Sequence, residues 1–98
     1  MTAAEAKKYA KERLKAFGWD VSEFDYLEIL WEKESNWNYR AQNKVSGTLG
    51  IPQLKGADKV PDFMNNYKIQ IEHGLSYIKK KYGSPKNALE AHKKKGWY

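Results

Sequence analysis

Glu34 stands on the apolar side of a short amphipathic segment that runs directly into a stretch punctuated by Gly and Asn. Within Ser22 to Trp37, SEFDYLEILWEKESNW, a helical advance of roughly 100° per residue puts Leu27, Leu30, Trp31 and Glu34 on one face and turns Glu28 and Glu32 away from it. A carboxylate among apolar groups loses hydration, and one in the last turn of a helix meets the negative end of the macrodipole; both effects raise its pKa. At an ordinary value of about 4.3, only about one such carboxyl in 500 holds its proton at neutral pH. A rise of about two units, costing about 2.7 kcal/mol, makes that roughly one in six. Those are the conditions of a general acid. Periodicity alone favours a plainer alternative, in which the long side chain escapes sideways to solvent or pairs with one of the many lysines.

The elements that must position Glu34 follow from caps and stripes. Thr2-Ala3-Ala4-Glu5 reads as a capping box opening a first helix, whose stripe of Ala6, Ala10, Leu14 and Phe17 ends at Gly18. Ser22, with Asp25 three residues on, starts the second helix, which carries Glu34. From Asn36 to about Gly50 the chain is polar and rich in turn formers, which predicts a long ordered loop or one carrying a small hairpin around Val45 to Ile51. Such a loop in so small a domain is usually functional. A short helical turn is expected in Pro52 to Lys59, broken by Pro61. Asn65 or Asn66 caps a strong helix in which Ile71, Leu75, Ile78 and Tyr82 recur at helical spacing, stopped by Gly83. Ser84-Pro85 opens the last helix and Gly96 closes it. The expected fold is a single mainly α domain over residues 1–98, with four to five short helices.

Ninety-eight residues that are 41% hydrophobic and 14% aromatic supply one small core of modest stability. The absence of cysteine excludes a disulfide framework and a thiolate metal site, and leaves the compartment unread from redox chemistry. No apolar run is long enough to span a bilayer and no signal-peptide core is visible, so no membrane insertion is expected, although an upstream leader could have been removed. The net charge of +6 favours an anionic partner: nucleic acid, acidic lipid or anionic cell-wall polymer. Lys7 to Lys15, Lys79 to Lys81 and Lys93 to Lys95 are each most economically the wet side of a helix. A basic nucleic-acid module using these lysines with exposed tryptophans and tyrosines lacks any recognition motif, and arginine, the preferred base reader, occurs only as Arg13 and Arg40.

Three ordered blocks carry a family resemblance over about residues 20 to 98. Glu34-Ser35-Asn36-Trp37-Asn38, then Ala41-Gln42-Asn43, then Ser46-Gly47-Thr48-Leu49-Gly50-Ile51-Pro52-Gln53 resembles the signature of lytic transglycosylases and goose-type lysozymes. The segment Gln70-Ile71 through Gly74-Leu75-Ser76-Tyr77-Ile78, with Tyr82-Gly83-Ser84-Pro85, Ala91-His92 and Gly96-Trp97-Tyr98, is similar to the compact transglycosylase-like domains of bacterial secreted and phage tail proteins. The resemblance implies a lysozyme-like helical fold with a cleft loop, and Glu34 as catalytic acid and base. It implies Gln53 as the glutamine lining the saccharide cleft and Tyr77 as the aromatic that shapes it; the alternatives are that Gln53 only ties down its own loop and that Tyr77 is core. Asn43 stands where many members have serine, an amide that still donates and accepts. His92 stands where a cleft tyrosine would sit. Compact members often carry a cysteine near each of Tyr26 and Lys86, and this chain has neither.

The implied reaction is cleavage of the β-1,4 bond between N-acetylmuramic acid and N-acetylglucosamine with a 1,6-anhydro product, requiring no metal or cofactor. The implied partners are peptidoglycan strands and anionic wall polymer, engaged by a monomer that is secreted or phage-associated. A hydrolytic outcome would call for a second carboxylate or a positioned water, for which Asp58 and Asp62 are the loop candidates. A module of the same fold that binds glycan without cleaving it, or an artificial variant of the family, which the lysine-heavy surface would suit, is the remaining alternative.

Overall fold

Thr2 closes the expected capping box: its hydroxyl accepts from the Glu5 amide at 3.1 Å while the Glu5 carboxylate accepts from the Thr2 amide at 3.0 Å. The structure, a computed structural model describing residues 2–98, then runs through four helices: α1 (Ala3–Arg13), α2 (Phe24–Ser35), α3 (Tyr67–Lys81) and α4 (Pro85–Lys95). The expected mainly α class is the observed one, and among the described residues there is no strand. No helix among them is long and apolar enough to cross a membrane.

Local chemistry places most boundaries where they were expected. Asn66 caps α3 by accepting from the Lys68 and Ile69 amides, Ser84 caps α4 with Pro85 at its first position, and Gly96 ends α4 in the left-handed region. Two boundaries differ. α1 stops at Arg13 and its stripe continues as a tighter 3₁₀ turn, Leu14–Phe17, because the chain must reverse at Gly18, where φ is 84°. The entry to α2 is capped by Asp20 rather than Ser22: the Asp20 carboxylate accepts from the Ser22 amide, and a 3₁₀ turn, Val21–Glu23, leads into the helix.

The segment between α2 and α3 is irregular but tightly tied. The anticipated hairpin reduces to isolated antiparallel bridges, Gln42 to Leu49 and Leu49 to Leu54, with Val45 fully exposed at the tip. The helical turn anticipated over Pro52 to Lys59 is confined to Ala57–Lys59, and a second 3₁₀ turn, Phe63–Asn65, follows Pro61.

Leu27, Leu30, Trp31, Ile51, Ile71, Leu75 and Ile78 are fully buried in one core. Each such side chain contributes about 1.5–3 kcal/mol through apolar burial. Trp31 is buried on the apolar face where it was expected, and Trp19 and Trp37 are buried too, so the exposed tryptophans that the nucleic-acid alternative needs reduce to Trp97, at 54% exposure. α1 is locked to α3 where the Arg13 guanidinium and the Tyr9 hydroxyl both donate to Glu72. α3 presses closely on α2 at Gly74, where a Cβ would lie 2.6 Å from the Trp31 ring and 2.8 Å from Pro52.

Gln70 ties this frame to the loop. Completely buried on α3, it accepts from the Ile51 amide at 2.8 Å and donates to the Tyr39 and Phe63 carbonyls at 2.8 and 2.9 Å. Three loop backbone groups, two of them in buried contacts, are thereby satisfied by one side chain.

Candidate active site

The apolar face of α2 delivers Glu34 into a half-dry position at the helix end. Leu27, Leu30 and Trp31 are buried beneath it, and its own side chain is 14% exposed. Glu28 and Glu32, on the opposite side, meet Lys7 at the surface. The Glu34 carboxyl does not escape to solvent or to a lysine. Its Oε2 lies 2.8 Å from Nε2 of His92, on α4, whose side chain is equally enclosed.

Burial pushes the Glu34 pKa up to about 7, so about half of the molecules carry the proton at neutral pH. His92 is pushed below its ordinary value, first by burial and then by the nearby Lys33 charge. Near neutrality the contact is therefore one between a carboxyl group and a neutral imidazole rather than an ion pair.

Two ties fix the helix end against the loop. The Ser35 hydroxyl donates to the Ile51 carbonyl at 2.7 Å. The Trp31 indole donates to the Tyr98 hydroxyl at 2.9 Å, and that hydroxyl donates to the Pro52 carbonyl at 2.8 Å, a buried relay joining α2, the chain end and the loop. Burial raises the Tyr98 pKa well above the ordinary tyrosine value, and the Glu34 charge adds to the rise.

Beside this relay runs a groove of about 560 Å³ whose walls include Asn43, Gln53, Tyr77, Lys81, Trp97 and Tyr98. Asn43, Gln53 and Tyr77 thus converge on one concavity, whereas Glu34 and His92 pair with each other and are not among its lining residues. Gln53, at a left-handed φ of 52°, donates to the Gly50 and Ala41 carbonyls and accepts from the Thr48 hydroxyl. It ties down its own loop and also faces the groove. Asn43 accepts from the Val45 and Ser46 amides and shapes the loop tip. Tyr77 is half-buried: its hydroxyl donates to the Tyr98 carbonyl, and its ring meets Tyr82 and Tyr98 edge to face. Asp58 and Asp62 are both exposed, and neither lines the groove.

Three contributors escaped the pattern reading. Tyr98 follows a helix-ending glycine and shares no stripe, so nothing in periodicity marked it as a core anchor. Gln70 sits one residue before Ile71 and reads as an ordinary polar position. Lys81 belongs to a lysine run whose plain reading is a wet face. No protein-family model, curated protein or solved structure matches this chain.

Proposed function

We propose that this protein is a muramidase that cleaves the β-1,4 bond between N-acetylmuramic acid and N-acetylglucosamine in peptidoglycan, as a lytic transglycosylase on a lysozyme-like fold. The observation that carries this reading is Glu34, a carboxyl enclosed at the end of α2 with a pKa near 7, beside a groove walled by amides and aromatics. A group half protonated at neutral pH can donate and then accept in one turnover.

In the first step the Glu34 hydroxyl donates its proton to the glycosidic oxygen as the C1–O bond breaks. The substrate's own acetamido oxygen bonds to C1 and stabilises the developing positive charge. In the second step the C6 hydroxyl oxygen attacks C1, displaces the acetamido oxygen, and returns its proton to the Glu34 carboxylate, leaving a 1,6-anhydro ring. His92, with its Nε2 2.8 Å from the carboxyl, orients Glu34. Tyr77 and Trp97 offer aromatic faces to sugar rings, and Asn43 offers an amide along the same groove.

Asp58 and Asp62 are exposed and do not line the groove, so hydrolysis would have to rest on a positioned water, whereas the transglycosylase outcome takes its nucleophile, the C6 hydroxyl, from the substrate itself. A non-cleaving glycan-binding module is the second reading, favoured by the pairing of Glu34 with His92 rather than with the groove. Mass analysis of the products from purified cell walls separates these readings. Muropeptides with 1,6-anhydro ends support the transglycosylase; reducing ends with incorporated water indicate a hydrolase; intact walls that retain bound protein indicate a binding module.

A further inference from the structure

The hydroxyl protons along one wall of the groove have a fixed direction. Ser46, Thr48 and Gln53 line that wall and are joined through their side chains by hydrogen bonds. The Gln53 amide nitrogen meets the Gly50 and Ala41 carbonyl oxygens at 2.8 and 3.2 Å, so it donates to both and its two hydrogens are committed. Its Oε1 is left as an acceptor and takes the single hydroxyl proton of Thr48 at 2.7 Å. The 2.9 Å contact between the Ser46 and Thr48 hydroxyls can then run only one way: Thr48 has no second hydroxyl proton, so Ser46 donates. The Thr48 amide in turn donates to Ser46 Oγ at 3.4 Å. The three side chains therefore keep no polar hydrogen for a ligand, while each oxygen retains one free lone pair. Ser46 is exposed and Thr48 half-buried, and both border the groove.

We infer that Ser46 and Thr48 are specificity-determining residues, an acceptor-only strip that takes a hydrogen bond from a ligand hydroxyl or amide N–H and disfavours a group that can only accept. Gln53 sets this polarity from the loop backbone outward and does not itself donate to the ligand. The inference rests on the proposed glycan cleft and assigns a hydrogen-bond polarity to one of its walls. A glycan offers the donor from two sources, the ring hydroxyls and the acetamido N–H.

The test uses the full chain carrying Glu34→Gln, so that ligands stay intact. Calorimetric titration compares three oligomers of equal length: N-acetylglucosamine, the same oligomer with its free C3 and C6 hydroxyls replaced by fluorine, and the same oligomer with each acetamido N–H replaced by an ester oxygen. Neither replacement can donate. At least one altered oligomer should bind about three- to tenfold more weakly than the parent, the net contribution of an ordinary hydrogen bond, and the weaker one identifies the source. The difference should also depend on the wall, which a residue that merely supports the loop would not produce. In Ser46→Ala with Thr48→Val the parent and altered oligomers should bind alike, whereas Thr48→Ser, which keeps the hydroxyl, should retain the full difference. Circular dichroism checks that each variant folds; should the double variant not fold, Ser46→Ala alone, at an exposed position, should already narrow the difference. Equal affinity for all three oligomers, or a difference that survives these wall variants, overturns the inference and leaves the glycan cleft standing. Binding of none of them overturns both.

Discussion

Across the window from 4.5 to about 7, Glu34 keeps a proton in the folded chain that it would release in the unfolded one. The folded state binds more protons there, so stability falls as pH rises through the window and the full penalty, on the order of 3 kcal/mol, is present above it. His92 acts in the opposite sense: its folded pKa is depressed, so stability falls as pH drops below its ordinary 6.5. Glu34→Gln keeps an acceptor for His92 and removes the ionisation penalty. Its gain in melting temperature should be large at pH 8 and small near pH 4.5, read by calorimetry; an equal gain at both would contradict an enclosed carboxyl. Carbon-detected NMR should find the Glu34 carboxyl titrating near 7, and an ordinary value would remove the enclosure as a source of reactivity. The position of Glu34 was legible because a helical repeat fixes which side chains share a face. Its partner was not, because only tertiary packing of α4 against α2 brings His92 to it.

Helix termini were legible wherever a cap is a local device, as at Thr2, Asn66, Ser84 and Gly96. The early end of α1 and the Asp20 cap were not, because the reversal at Gly18 and the docking of Trp19 under Gly83 are set by the rest of the molecule. The loop between α2 and α3 was legible as a loop, but what holds it is a single glutamine on a helix. Gln70→Leu keeps similar bulk and leaves the Ile51 amide and the Tyr39 and Phe63 carbonyls without their partner. Each such loss costs about 1–3 kcal/mol. Urea denaturation should register a loss of several kcal/mol, with faster hydrogen exchange at the Ile51 amide; a loss below about 1 kcal/mol would mean that water or another group replaces the side chain. Gly74→Ala should cost about 1–3 kcal/mol by forcing α3 off the Trp31 ring and Pro52, and an unchanged melt would show that the two helices yield freely.

At the scale of the whole molecule, the charge of +6 is carried largely on exposed lysines, including the run Lys93 to Lys95 at the end of α4. Exposed charges act over about 8 Å at physiological ionic strength, so attachment to anionic wall polymer should weaken with salt while turnover of a short soluble glycan changes little. Replacing Lys93, Lys94 and Lys95 with glutamine should mimic salt in a wall-sedimentation assay. Equal loss on both substrates would place those lysines in the fold or the groove. The sequence made charge and fold class plain, since both are sums over many residues; the groove was not, since Lys81, Trp97 and Tyr98 meet Gln53 only after folding. Function converges on one side chain, and the most direct measurement is the initial rate of muropeptide release from purified walls by the protein and by its Glu34→Gln variant. A general acid contributes at least about a hundredfold, so the variant should fall by that much or more while its melting temperature holds or rises. A well-folded Glu34→Gln protein that releases muropeptides at close to the original rate would contradict the assignment of Glu34 as the catalytic acid.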